Sequence, residues 1–306
     1  MAISQSTTML FFDDWYLARR EHVDRHVGRP RTVGRFVDPY LDISFGYPTV
    51  FRDQESGKWR CLYQGFLYQP YIQPGDVVTT GNKLNYRSIP ATIESDDAVS
   101  WSLPDLSQTA PLPDRRTPHQ VLPLARFREW GPPFYDERAE DPAQRLKAFV
   151  TFGKDQLEPI APLWVSPDGV HWSHPEGATW HPVGIDPSIT AFWNAHRGSY
   201  VLAARPAWGD RRIAVYETSD WQSYSKPELA LQTDALDTPM AELYGMPAFP
   251  YEGMFVGFAW LFHPDRAMIN RAGKGYLGFN DCQLAYSYNG WHFQRGLRDP
   301  FIANTD

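Results

Sequence analysis

One turn is written four times along the 306-residue chain: ESDDAVSW at 94–101, VSPDGVHW at 165–172, ETSDWQSY at 217–224 and SYNGWHF at 287–293. Each follows a short apolar run and precedes a further strand-like run bearing an aromatic residue. Asp-Gly or Asn-Gly supplies the positive φ that a tight hairpin needs, and the aromatic after it fits between packed sheets. A phrase repeated in this way signals a repeated structural unit.

Reading outward from each turn gives four passages. The first is YPTVFRDQESGKWRCLYQG (47–65) with NKLNYRSIPATIESDDAVSW (82–101). The second is PPFYDERAEDPAQRLKAFVTFG (132–153) with APLWVSPDGVHW (161–172). The third is ITAFWNAHRGSYVLAAR (189–205) with RRIAVYETSDWQSY (211–224), and the fourth is GMPAFPYEGMFVGFAWLFH (245–263) with QLAYSYNGWHF (283–293). Each passage holds about four strands. A lone quartet cannot cover both its faces, whereas quartets set radially cover one another, so the pattern predicts an all-β propeller of four-stranded antiparallel blades. Composition agrees: aromatic residues make up 15% of the chain, and 27 Pro with 22 Gly supply turns rather than helices. Residues 1–306 read as one domain, either a four-bladed ring or one whose fifth blade is incomplete at the C-terminus. The N-terminal MLFFDDWYLARRE is a candidate for closing the ring. Two long insertions, 66–81 and 113–131, are candidate rims of a binding site.

A formal charge of −7 and a pI near 5.7 offer no broad positive field, which argues against nucleic acid as partner. The arginines at 19, 20, 25, 29 and 31 read as a solvated surface segment. Two cysteines, Cys61 and Cys282, make no disulfide framework and read as reduced core residues. There is no signal-peptide pattern and no apolar run long enough to span a membrane, so the cytoplasm is the expected location. None of the nine histidines falls in HxH or HExxH, and EF-hand, Walker and GxSxG patterns are absent. No metal and no cofactor is therefore expected, and nothing points to serine-type hydrolysis. Self-association is left open.

The phrases LFFDDWYLARRE, SPDGVHW, FWNAHRGSYVLAAR and RRIAVYETSDW together resemble bacterial glycoside hydrolases related to families 32, 43, 68 and 130. The resemblance implies a five-bladed propeller with carboxylates gathered at its axis and a saccharide substrate. The chain departs from the pattern in having Gly46-Tyr47-Pro48 where the relatives carry Asp-Pro. The nearest Asp-Pro is Asp38-Pro39, and Arg298-Asp299-Pro300 stands at the far end of the chain.

Carboxylates at or just before the innermost strands can converge: Asp38 and Asp42, Asp136, Asp186 and Glu242. Glycosidic cleavage needs one protonated carboxyl and one ionised carboxylate. Asp186, before Pro187, is the expected base or nucleophile. Glu242, flanked by Met240, Leu243 and Tyr244, is the expected acid, with Asp42 tuning the pair. For substrate binding the candidates are Tyr244 and Trp193 as flat faces, Asn194, Arg205 and His263 as hydrogen-bonding groups, and Asp136. The alternatives are a non-catalytic carbohydrate-binding propeller and a protein-interaction scaffold.

Overall fold

The computed structural model describes residues 8–67, 79–81, 84–123, 127–152, 161–175, 179–180, 188–206, 208–265 and 278–304. Among them the only helical element is a single 3-10 turn, Pro142–Gln144. The chain is all-β and antiparallel. It divides into two compact units, one of residues 32–188 and one joining residues 1–31 to 189–306.

Unit 32–188 holds two of the four principal sheets. The first runs β1 (Leu41–Arg52), β2 (Trp59–Leu67), β5 (Ser88–Ser95), with β3 (Thr79–Gly81) and β4 (Leu84–Tyr86) forming a small hairpin. Its outer edge is completed by single bridges from β5 to Ser102 and Gln120. Residues 115–122 of the second insertion are therefore bound against this sheet. Arg115 donates to the carbonyls of Leu106, Pro118 and Gln120, and His119, Gln120, Val121 and Leu122 are buried.

The second sheet is built on β8 (Leu146–Phe152). Along one edge β8 takes β6 (Phe127–Trp130) and β7 (Phe134–Tyr135), and on the other lie β9 (Ala161–Ser166) and β10 (Thr179–Trp180). The core of this unit includes Leu62, Tyr63, Ile89, Trp130, Leu146 and Val150.

Unit 1–31 with 189–306 holds the other two sheets. The third is β11 (Thr190–Asn194), β12 (Ser199–Ala204), β13 (Ile213–Thr218), β14 (Glu228–Leu231), in chain order. In the fourth, β15 (Glu242–Gly245) and β16 (Ala248–Tyr251) share one edge of β17 (Met254–Pro264), and β18 (Gly278–Ser287) takes the other. Phe192, Val201, Ile213, Leu243, Leu261 and Trp291 belong to its core. The N-terminal segment packs on the end of β18: Phe12 stacks on Tyr286 at 5.1 Å, and Tyr286 and Tyr288 donate their hydroxyls to Asp13.

The repeated turn proves to be a small hydrogen-bonded device. Asp97, Asp168, Asp220 and Asn289 each accept, through Oδ1, the backbone N–H groups two and three residues on, at 2.7–3.1 Å. Two residues earlier, the hydroxyls of Ser95, Ser166, Thr218 and Ser287 donate to those same oxygens. These side chains take the place of turn backbone groups, which is why Ser, Thr, Asp and Asn recur there. The next position has positive φ in all four copies: Ala98 (60°), Gly169 (79°), Trp221 (60°) and Gly290 (67°). The expected Gly is present in only two. The following aromatic also closes the turn, since Trp172 Nε1 and Tyr224 Oη donate to the carbonyls of Gly169 and Trp221.

Equivalent positions occupied by different residues make an internal test. Gly169→Ala should cost about 1–2 kcal/mol from the left-handed backbone, with its Cβ also 3.1 Å from a methyl of Leu62. Ala98→Gly should be neutral or stabilising. Urea midpoints of the two variants measure this; equal losses at both would show that φ does not set the preference.

Candidate functional site

A polar cluster forms at the end of the fourth sheet where β15 begins. Glu242 opens β15 and pairs across the ladder with Phe262. Arg211, just ahead of β13, is bound twice to this strand: its carbonyl accepts the Leu243 N–H at 3.0 Å, and its Nη1 lies 2.6 Å from Glu242 Oε2. The Arg211 guanidinium also sits 5.3 Å from the ring centroids of both Tyr244 and Phe262. Arg205, buried at the end of β12, lies 4.9 Å over Tyr244. Glu242 and Arg211 remain partly open to solvent, with side chains 29% and 25% exposed.

Three expected residues, Glu242, Tyr244 and Arg205, are thus brought together, and Arg211 and Phe262 join them. The surroundings differ from those expected. Leu243 turns into the core and Met240 out to solvent, so Glu242 faces a guanidinium rather than an apolar wall. Tyr244 already carries two cations near its ring, an arrangement favoured by the negative face of the π system. A saccharide here would meet a carboxylate and fixed arginine donors along with the aromatic edge.

His263 belongs to the same end of the sheet but to its other face. Successive residues of a strand point to opposite sides, and Glu242 pairs with Phe262, one residue earlier. The imidazole is shared between Thr238 Oγ1, 2.9 Å from Nδ1, and Asp281 Oδ2, 2.8 Å from Nε2. It stacks on Phe279 at 4.6 Å.

The remaining expected residues lie elsewhere. Asn194 is fully buried at the far end of β11: its Nδ2 donates to the Asn289 carbonyl, and its Oδ1 accepts the N–H groups of His196 and Arg197. Trp193 meets Tyr200 edge-on at 5.0 Å. Trp130 is fully buried in the core of its unit. Asp136 stands after β7, not before the first strand of its sheet, because β6 and β7 together form that edge. Its carboxylate is buried against Lys147 Nζ at 2.8 Å and accepts the Arg138 N–H. Burial pushes the Lys147 ammonium down, while the hydrogen bond to Asp136 and its charge oppose that effect. Asp42 is the second residue of β1, its side chain outside the described atoms, and Asp186 lies outside the described residues.

Asp38, a candidate for the same end of β1, is buried. It accepts from Tyr63 Oη at 2.7 Å and from the Tyr40 N–H at 2.9 Å, with His119 Nε2 at 2.8 Å. Burial alone would raise its pKa, but the hydrogen bond and charge of His119, with the hydrogen bonds from Tyr63 and Tyr40, outweigh it and hold the carboxyl below its ordinary 3.8. A carboxylate depressed on folding contributes stability that is present above its unfolded pKa and is lost as pH falls through the folded value. Asp38→Asn should therefore flatten the loss of stability of this unit below about pH 4, as acid titration at fixed urea would show; an unchanged acid limb would count against it.

Arg211, Phe262, Thr238 and Asp281 carry no motif of their own in the sequence. The doublet Arg211-Arg212 immediately before an apolar strand is the one local hint. Among the described residues no cluster of three or more His, Cys, Asp or Glu side chains could hold a metal ion, and no helix is long and apolar enough to cross a membrane.

No protein-family model matches the chain, and no curated protein does. Solved structures do. An N-acetylgalactosamine deacetylase from F. plautii, in complex with blood group B trisaccharide, aligns with a TM-score of 0.54 at 15% identity, covering 91% of this chain and 76% of its own. BT0996, in a complex with RGII, gives a TM-score of 0.54 at 17% identity over 90% of this chain and 80% of its own. A glycosyl hydrolase from Bacteroides ovatus gives 0.50 at 13%, over 86% and 72%. The likeness is one of fold.

Proposed function

We propose that the chain is a carbohydrate-active enzyme that cleaves a glycosidic bond, with the four sheets as propeller blades within one domain. The observation that carries this reading is the Glu242 cluster: a part-exposed carboxylate, two arginines and two aromatic rings at the opening of a sheet's first strand. Carboxylate, fixed donors and flat rings are what a sugar's reacting centre, hydroxyls and C–H faces require. Support also comes from the fold, shared with proteins bound to saccharides or described as glycosyl hydrolases.

In this reading Glu242, held by Arg211, is one carboxyl of the catalytic pair. Asp186 supplies the other carboxyl, and Asp42 tunes or orients. Arg205 and Arg211 take sugar hydroxyls. Tyr244 closes one side of the site.

A panel of α- and β-linked glycosides and oligosaccharides, assayed for released sugar, tests this. Turnover of at least one substrate is the expected result. Binding to a glycan with no product on long incubation would replace the enzyme by a carbohydrate-binding propeller, and neither binding nor product would favour a protein-interaction scaffold.

A further inference from the structure

Hydroxyl, imidazole and carboxylate stand in line on the face of the fourth sheet turned away from Glu242. Leu261 and Asp281 are direct partners across β17 and β18, so Asp281 and His263, two residues on from Leu261, share a face. Thr238 reaches the same imidazole from the loop ahead of β15.

Each member is held in place. Asp281 is part-buried, and its Oδ1 has no hydrogen-bond partner among the described residues, so the carboxylate's hydrogen bonding is directed at the imidazole. Phe279 supports the ring. Thr238 follows Asp237, whose two oxygens are gripped by Arg295 at 2.8 and 2.6 Å and by Arg298 at 3.1 Å. Asp237 and Arg295 are almost wholly buried, which makes this the anchor of the loop. Arg298 belongs to the Arg-Asp-Pro triplet, and here it braces the loop. Met240, two residues after Thr238, is held at φ 69°.

A carboxylate on Nε2 keeps the ring proton there and leaves Nδ1 as acceptor for the threonine hydroxyl. That arrangement readies an alcohol for attack, since the base takes the proton as the oxygen bonds to carbon. Thr238 is exposed on an open cleft of ≈ 580 Å³, whose other lining residues are Pro239, His263, Pro264, Asp265, Gly278 and Phe279. The walls are mainly small or apolar, and the volume is that of a small-molecule site.

We infer that Thr238, His263 and Asp281 form a nucleophilic relay that hydrolyses short-chain acyl esters, separate from the glycosidic chemistry of the Glu242 face. Thr238 Oγ1 bonds to the acyl carbon while its proton passes to His263 Nδ1. The ester C–O bond then breaks and the departing alcohol oxygen takes that proton. Water attacks the acyl-threonine, gives a proton to Nδ1, and the acyl C–Oγ1 bond breaks. Threonine regains the proton and the carboxylic acid leaves. Asp281 is a positioning residue that acts through the imidazole.

The test uses the full chain with p-nitrophenyl acetate and an O-acetylated monosaccharide. Acetate release is expected, with an acid-quenched acetyl adduct that peptide mass spectrometry locates on Thr238. Thr238→Val and His263→Gln should each lower kcat/KM by at least about 10²-fold, and Thr238→Ser should retain turnover. Asp281→Asn should lower kcat with KM little changed. Hydrolysis no faster than buffer, an adduct on another residue, or full activity in Thr238→Val would overturn the relay. The adduct is read on the unaltered chain, so a misfolded variant does not spoil the test. Glycoside turnover is scored separately, so either chemistry can fail alone.

Discussion

Changing Glu242 to Gln is expected to lower glycoside turnover by about 10²–10⁴-fold, the range a positioned acid or base contributes, while leaving the fold intact. The substitution keeps the side chain's shape and an oxygen that can accept the Arg211 N–H. What it removes is the charge facing the guanidinium at 2.6 Å. Both partners are about a quarter exposed, and pairs of that kind are worth about 0–1 kcal/mol, so the unfolding midpoint should barely move. Arg211→Met separates two roles for the carboxylate. If Glu242 only positions Arg211, the two variants will be equally impaired. If Glu242 reacts, Arg211→Met will retain more kcat than Glu242→Gln. Full turnover by Glu242→Gln, on a substrate the parent cleaves, would take Glu242 out of the mechanism.

Lys147→Met should strongly destabilise unit 32–188. Lys147 and Asp136 side chains are 4% and 2% exposed, and removing one partner of a buried pair leaves a charge without its counter-ion, at a cost of about 3–5 kcal/mol. Adding Asp136→Leu to Lys147→Met should recover most of that loss, because a buried pair exchanged as a whole for apolar residues is often neutral. Urea unfolding of both single variants and the double variant closes the cycle. A strong coupling assigns Asp136 to the frame of its sheet. A loss below about 1 kcal/mol for Lys147→Met, no larger than an exposed pair is worth, would leave the carboxylate available to a ligand.

What the sequence shows plainly is what the chain decides locally. The repeated turn is legible because its hydrogen bonds join residues two or three apart, so Ser or Thr and Asp or Asn must recur at fixed spacing. The strand content and the four sheets follow from that phrase. Ala98 and Trp221 are the exceptions, for a left-handed position tolerates a side chain when the surrounding hydrogen bonds hold it.

The clusters are less legible because they depend on register. Glu242 meets Arg211 across 31 residues, and Thr238, His263 and Asp281 span the loop before β15 and two strands. Irregular pairing between Leu243 and Gly245, and at three places along β1, displaces side chains by amounts that no periodicity announces. Asp136 shows the same limit: it reads as standing at the start of an innermost strand, whereas two short strands precede it. The relay has no serine-hydrolase motif to announce it, because three residues from separate segments do not need one.

Residues 1–31 belong with residues 189–306, while the stretch between them forms a unit of its own. During synthesis that middle stretch has all its own contacts as soon as it emerges, and domains tend to fold as they appear. Phe12 and Asp13 must wait for Tyr286 and Tyr288, and Tyr286 is made 273 residues after the Asp13 it binds. Until then the N-terminal segment lacks the two tyrosines it packs on, so its docking should be among the last contacts of its unit to form.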